Sequence, residues 1–131
     1  MYIAEIIVRC SIEIEAISKE LYYVNGGNME PVNSSGKPRN IYFDTDCLNF
    51  LDQKWNLSKK QITVSAVNFH FSNENYKIIT PLHKSHIHGT NGSEWKQAYQ
   101  AIKHDRSNSI KKANIENMIN ALGALYILNL Y

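Results

Sequence analysis

Ile3, Ile6, Ile7, Cys10, Ile14, Ile17 and Leu21 recur at three- and four-residue intervals near the start of this chain. That period is the helical one, and it gathers these side chains on one face. Opposite charges four residues apart support the same helix from outside: Glu5 with Arg9, Arg9 with Glu13, Glu15 with Lys19. Gly26-Gly27 stops the pattern, so the spacing predicts a helix over residues 2–24. An apolar stripe of this length has to be buried on other elements. Ile12 falls off the stripe, which predicts cover on more than one side.

The rest of the chain offers the partners. Leu48, Leu51 and Trp55 give helical spacing over residues 44–55, with Asp44 as a cap. Ser93 is a good cap for a helix over residues 94–104, whose apolar face is Trp95, Ala98, Tyr99 and Ile102. A last helix is expected from about residue 109 to residue 130. Between them, Ile62 and Val64 alternate with Thr63 and Ser65, and residues 76–80 are again strand-like before Pro81. A two-stranded hairpin needs helices to pack on. The expected fold is mainly α, a bundle of about four helices with a small β-hairpin insertion. All 131 residues suit one domain, with polar loops at 25–39 and 82–92. The first loop is full of turn formers and long for a compact domain; it reads as flexible, with a binding element as the alternative.

Several classes of protein are disfavoured. Cys10 and Cys47 do not make a disulfide scaffold, and Cys10 lies in the apolar stripe as a small buried residue. Glu5 and Arg9 interrupt the N-terminal isoleucines, unlike the apolar block of a signal peptide. The longest clean apolar run, Ala121 to Leu128, is far short of the about 18–20 residues of a membrane span. A cytoplasmic protein without a membrane anchor is therefore expected. After residue 121 nearly every side of the last helix is apolar. This predicts a core position or an interface, with a partner helix or further chain covering what the domain does not.

The net charge of +2 says little, but its distribution is uneven. Lys96, Lys103, His104, Arg106, Lys111 and Lys112 fall within one stretch that holds Asp105 as its only acid. Lys103 and His104 end one predicted helix, where cations suit the dipole. Lys111 and Lys112 are expected to begin the next, where cations oppose it. Lysines beside free amide donors point to an anion site, such as a phosphate. Arg106 can clamp a phosphate through two donors, and His104 can exchange protons near neutrality. The plainer reading is a solvated loop capping two helices.

Other clusters are weaker. His83, His86 and His88 have a spacing that could bring imidazoles to one metal, although no cysteine is near. The plainer reading is a histidine-rich loop, and no cofactor is expected. Glu13 and Glu20 share a face of the first helix and could support Arg106 or Lys103 across the bundle; otherwise they are surface acids. Asp44 and Asp46 are too few to make a magnesium site.

The run from Trp95 through Tyr99 to Lys103, His104 and Arg106, followed by Ala113, Asn114, Asn117, Ala121 and Leu125, resembles the C-terminal part of HEPN-like domains (higher eukaryotes and prokaryotes nucleotide-binding). The resemblance covers residues 1–24 and 93–131. It implies a helical bundle, often dimeric, of the kind found in bacterial toxin–antitoxin and phage-defence proteins. It also implies an RNA- or nucleotide-phosphate-binding function and, for part of the family, metal-independent ribonuclease activity. In those enzymes the arginine precedes the histidine by a few residues. Here His104 comes first, so His104 and Arg106 match the motif in type and not in order. On this resemblance His104 and Arg106 are the candidate catalytic pair, and Lys103, Lys111 and Lys112 the phosphate-binding residues. The expected partners are RNA or a nucleotide, an antitoxin-like protein, or a second copy bound through the C-terminal helix. The alternative function is a non-catalytic interaction or dimerisation module.

Overall fold

The computed structural model describes residues 2–65, 76–104 and 112–131. The elements run α1 (Tyr2–Val24), a π-helical turn (Phe43–Leu48) leading into α2 (Asn49–Trp55), β1 (Ile62–Ser65), β2 (Tyr76–Ile79), α3 (Glu94–His104) and α4 (Ile115–Leu128). The fold is a helical bundle with a small antiparallel hairpin, as the periodicity predicts.

α1 is the central strut, packing on α3, α4 and the π-helical turn. Its inner face is Ala4, Ile7, Cys10, Ser11, Ile14, Ser18 and Tyr22. Ile7, Cys10 and Ile14 of the predicted stripe are buried, while Ile3, Ile6, Ile17 and Leu21 flank the core. The burial of Cys10 agrees with its reading as a small core residue. Ser11 satisfies its hydroxyl inside the helix by donating to the Ile7 carbonyl at 2.7 Å. Ile12 is 51% exposed, so the second side of α1 is not covered there. Gly26, at φ +85°, closes the helix: its N–H donates to Tyr23 O, and that of Gly27 to Tyr22 O.

The larger core cluster joins Ile14 to Leu48, Leu51, Leu57, Leu82, Trp95, Ala121, Ala124 and Leu128. A second cluster joins Ala4 and Ile7 to Ala98, Tyr99 and Ile102. β1 and β2 pair in the register Ile62 with Ile79 through Ser65 with Tyr76. The hairpin packs on α4 at Gly123, where a Cβ would lie 3.0 Å from Ile79 Cδ1 and 3.3 Å from Pro81 Cγ. A glycine inside this helix thus exchanges helix propensity for close approach of the hairpin.

Three expectations change. α4 begins at Ile115 and not near residue 109: Asn114 caps it, its side chain accepting from Asn117 N–H at 2.9 Å. Lys112 therefore lies in a turn before the cap, not in the first helical turn, and the dipole argument does not apply to it. Lys111 lies outside the described residues, as do Asp105, Arg106 and Ile110. Segment 25–39, expected to be flexible, carries specific bonds. Asn33 Oδ1 accepts from Ser35 and Lys37, Val32 bridges to Pro38, and Arg39 meets both Asp46 oxygens at 2.8 and 2.9 Å. Segment 82–92 is not wholly polar surface, since Leu82 and Ser85 are buried.

The C-terminal helix divides its apolar residues between two faces. Ala121, Ala124, Ile127 and Leu128 enter the core, while Ile115, Leu122 and Tyr126 are exposed. Tyr131 stacks on Trp55 with ring centroids 4.2 Å apart. Among the described residues, no helix is long and apolar enough to cross a membrane.

Candidate functional site

A cleft of about 570 Å³ opens between α1, α3, the start of the π-helical turn and the 88–90 segment. Its lysines are Lys19, Lys96 and Lys112, and its carboxylates Glu15 and Asp44. At its base, Lys96 and Asp44 form a buried ion pair, Nζ to Oδ2 3.0 Å, with side chains 8% and 7% exposed. Lys96 gives its other protons to Ser85 O at 2.7 Å and Ile87 O at 2.6 Å. All its donors are used, so it organises the floor of the cleft and is not free to grip a ligand.

Asp44 is equally constrained. Oδ1 accepts the Thr45 N–H at 2.7 Å, and Oδ2 faces His88 Nδ1 at 3.2 Å as well as Lys96. Burial alone would raise its pKa, but the hydrogen bond and charge of Lys96, with smaller help from Thr45 and His88, hold it below the ordinary carboxylate range. Burial pushes Lys96 down, and the bond and charge of Asp44 only partly oppose this. The two form a mutually dependent buried pair. Nearby, burial followed by the charge and hydrogen bond of Glu15 raises the Tyr99 hydroxyl.

The sequence-predicted residues separate. Lys112 lines the cleft. His104 and Lys103 are exposed in the last turn of α3, where their charge suits the helix dipole, and neither lines the cleft. Lys103 Nζ sits 5.7 Å over the Tyr99 ring. Arg106 lies outside the described residues, so its placement beside His104 is not defined. Glu13 and Glu20 are exposed on α1, and among the described residues neither forms an ion pair with Lys103.

The three histidines of the 83–88 run go to different places. His83 is exposed beside a second cavity, His86 Nδ1 lies 4.0 Å from Asp52, and His88 meets Asp44. Among the described residues no group of three potential ligands converges on a metal position. The second cavity, about 380 Å³, has Glu94 and Glu116 against a single lysine, Lys84, and suits an anion less well. The thiol of Cys47, fully buried, is pushed up to about 12 by burial and then by Asp46, and is inert as a nucleophile.

Lys96, Asp44 and His88 are the site residues that sequence reasoning missed as a group. Lys96 follows Trp95 at the margin of an apolar face, a position that is often half-buried. Asp44 precedes it by 52 residues, and only the fold brings them together. The sequence matches no family model, no curated protein and no solved structure.

Proposed function

We propose that this chain is a helical RNA- or nucleotide-phosphate-binding domain of HEPN-like layout, and that the Lys19–Lys112 cleft is its ligand site. One observation carries the reading: Lys112, from the basic turn, opens into the same cleft as Lys19 and His88, over a floor whose own charges are already paired. Cationic side chains around a concave site favour a phosphate and leave the sugar and base to polar neighbours such as Gln100. The HEPN-like resemblance extends the proposal to a cytoplasmic role in bacterial defence.

The test is fluorescence anisotropy of a labelled single-stranded RNA titrated with protein over a salt series. Lys19→Glu combined with Lys112→Glu is expected to weaken binding by about tenfold or more at low salt. The slope of log affinity against log salt should flatten by about 0.7 for each phosphate that is no longer neutralised. Unchanged affinity in this variant would remove the cleft from the assignment.

A second reading, a homodimerisation module without catalysis, rests on the outward face of α4. Ile115, Leu122 and Tyr126 recur along it at seven- and four-residue intervals and are 44–59% exposed. Light scattering is expected to show a dimer that Leu122→Glu converts to monomer without lowering its helix content. A monomeric wild-type chain at assay concentrations would end this reading.

A further inference from the structure

We infer that His86 is a proton-operated latch: on taking up a proton it closes onto Asp52 of α2 and pulls on the segment that builds the floor of the cleft. The latch needs no ligand, so it holds whatever the cleft binds.

The two groups face each other without meeting. His86 Nδ1 lies 4.0 Å from Asp52 Oδ2, with side chains 25% and 19% exposed. That is within the reach of charge and beyond that of a hydrogen bond. Nδ1 itself is buried and, among the described residues, has no hydrogen-bond partner. Neither neutral form of the ring cures this. With the proton on Nε2, the Nδ1 lone pair faces a carboxylate. With the proton on Nδ1, the donor stops short of its acceptor. Only the imidazolium both donates at Nδ1 and carries a charge of the right sign.

The surroundings favour direct closure. The gap between the two groups is walled by Leu48, Leu57 and Leu82, none more than 2% exposed, with Ser58 and Ser85. It has no room for a water molecule, so the contact closes directly or not at all. Asp52 and His86 are the only ionisable groups that line it among the described residues. On the neighbouring elements, Lys54 of α2 and Lys59 of the turn that follows it are exposed. On the histidine's own segment, His83 and Lys84 open into the second cavity, and His88 turns to Asp44. Lys96 reaches the segment from α3, with its charge already paired to Asp44. A proton on His86 therefore faces one carboxylate.

Asp52 is the fixed half. Its Oδ1 accepts the Ser58 N–H at 2.6 Å, and its carbonyl accepts the Asn56 N–H at 2.7 Å. His86 is the half that moves. The carbonyls on either side of it, Ser85 O and Ile87 O, are those that hold Lys96. Closing to hydrogen-bond length takes about 1 Å. A backbone displacement of that size at His86 is carried to Lys96, and through it to Asp44 and His88.

The sign of the pH effect follows. The pair forms only in the folded chain and only with His86 protonated. The stability it adds is present in mild acid and is lost as the pH rises through neutrality.

Urea unfolding of wild type, His86→Gln, Asp52→Asn and the double variant, at about pH 5 and about pH 8, tests the latch. Asp52→Asn keeps an oxygen for the Ser58 N–H and removes the charge. The folded-to-unfolded ratio of wild type, divided by that of His86→Gln, is expected to be about threefold or more larger at the lower pH, the scale of a partly exposed ion pair. In the Asp52→Asn background this difference should vanish. NMR of the backbone amides over the same range reads the coupling to the cleft. A His88→Gln background removes the titrating ring of the cleft itself. There the Ile87 and Lys96 amide signals should move with pH, and they should stay still once Asp52→Asn is added. An effect of His86→Gln that is equal at both pH values, or one that survives Asp52→Asn, would overturn the latch. If Asp52→Asn does not fold, the pH dependence of the His86→Gln effect still decides. Ile87 and Lys96 signals that ignore the pH would overturn the link to the cleft.

Discussion

Asp44→Ala is expected to cost about 3–5 kcal/mol of stability, a large part of the about 5–15 kcal/mol available to a domain. The variant leaves the Lys96 ammonium, 8% exposed in its side chain, with the Ser85 and Ile87 carbonyls and the Phe43 ring face but, among the described residues, no carboxylate. A pair this far from water gains little net stability by existing, since desolvation offsets most of the attraction. Removing one partner is different, because the desolvation of the other is then uncompensated. Urea unfolding of Asp44→Ala, Lys96→Met and the double variant closes a thermodynamic cycle. The double variant should recover part of the loss, not all, because the two carbonyls lose their donor when Lys96 becomes methionine. A single variant within about 1 kcal/mol of wild type would show that the pair is hydrated and not a dependent unit.

The same pair marks the limit of what could be read in the sequence. Local spacing sufficed wherever a single element determined the answer. The Ile7–Cys10–Ile14 repeat located α1, Gly26-Gly27 located its end, and Trp95–Ala98–Tyr99–Ile102 located the inner face of α3. The alternation around Ile62 and the break at Pro81 located the hairpin. Asp44 and Lys96 each had a local reading, as a helix cap and as one of a run of cations; the first is overturned, because Asp44 lies inside the π-helical turn and gives its carboxylate to the Thr45 N–H and Lys96. No local pattern says that a cation at the margin of one apolar face will meet a carboxylate from another element 52 residues away.

The start of α4 failed for another reason. Ile110 and Ala113 continue the apolar spacing backwards, so periodicity alone extended the helix too far. The competing signal was Asn114, which binds the Asn117 N–H and is answered by Asn117 Nδ2 donating to Lys112 O at 2.8 Å. An asparagine whose side chain can bond the backbone two or three residues on is a better boundary than a hydrophobic period. This shifts the meaning of the basic turn. Lys112 is significant because it opens into the cleft, not because it opposes a dipole.

Trp95→Ala is expected to match or exceed the loss at Asp44, at about 3–5 kcal/mol, and to disturb the site as well. Trp95 is 1% exposed in the larger core cluster, and its Nε1 donates to Pro81 O at 2.8 Å. That bond, with Ser85 Oγ donating to the same carbonyl at 3.2 Å, folds the 81–85 turn inward so that Leu82 joins the core. The turn in turn presents the Ser85 and Ile87 carbonyls to Lys96. Trp95→Phe separates the two contributions. It keeps most of the apolar volume and loses the indole donor, so a stability loss of about 1–3 kcal/mol is expected. If the turn is held chiefly by that donor, Trp95→Phe should also weaken RNA binding at temperatures where the helices remain folded. Stability and affinity moving together in Trp95→Phe would tie the cleft to the core through a single indole hydrogen bond. A stable variant with wild-type affinity would show that packing around Leu82 and Ser85 suffices to hold the turn.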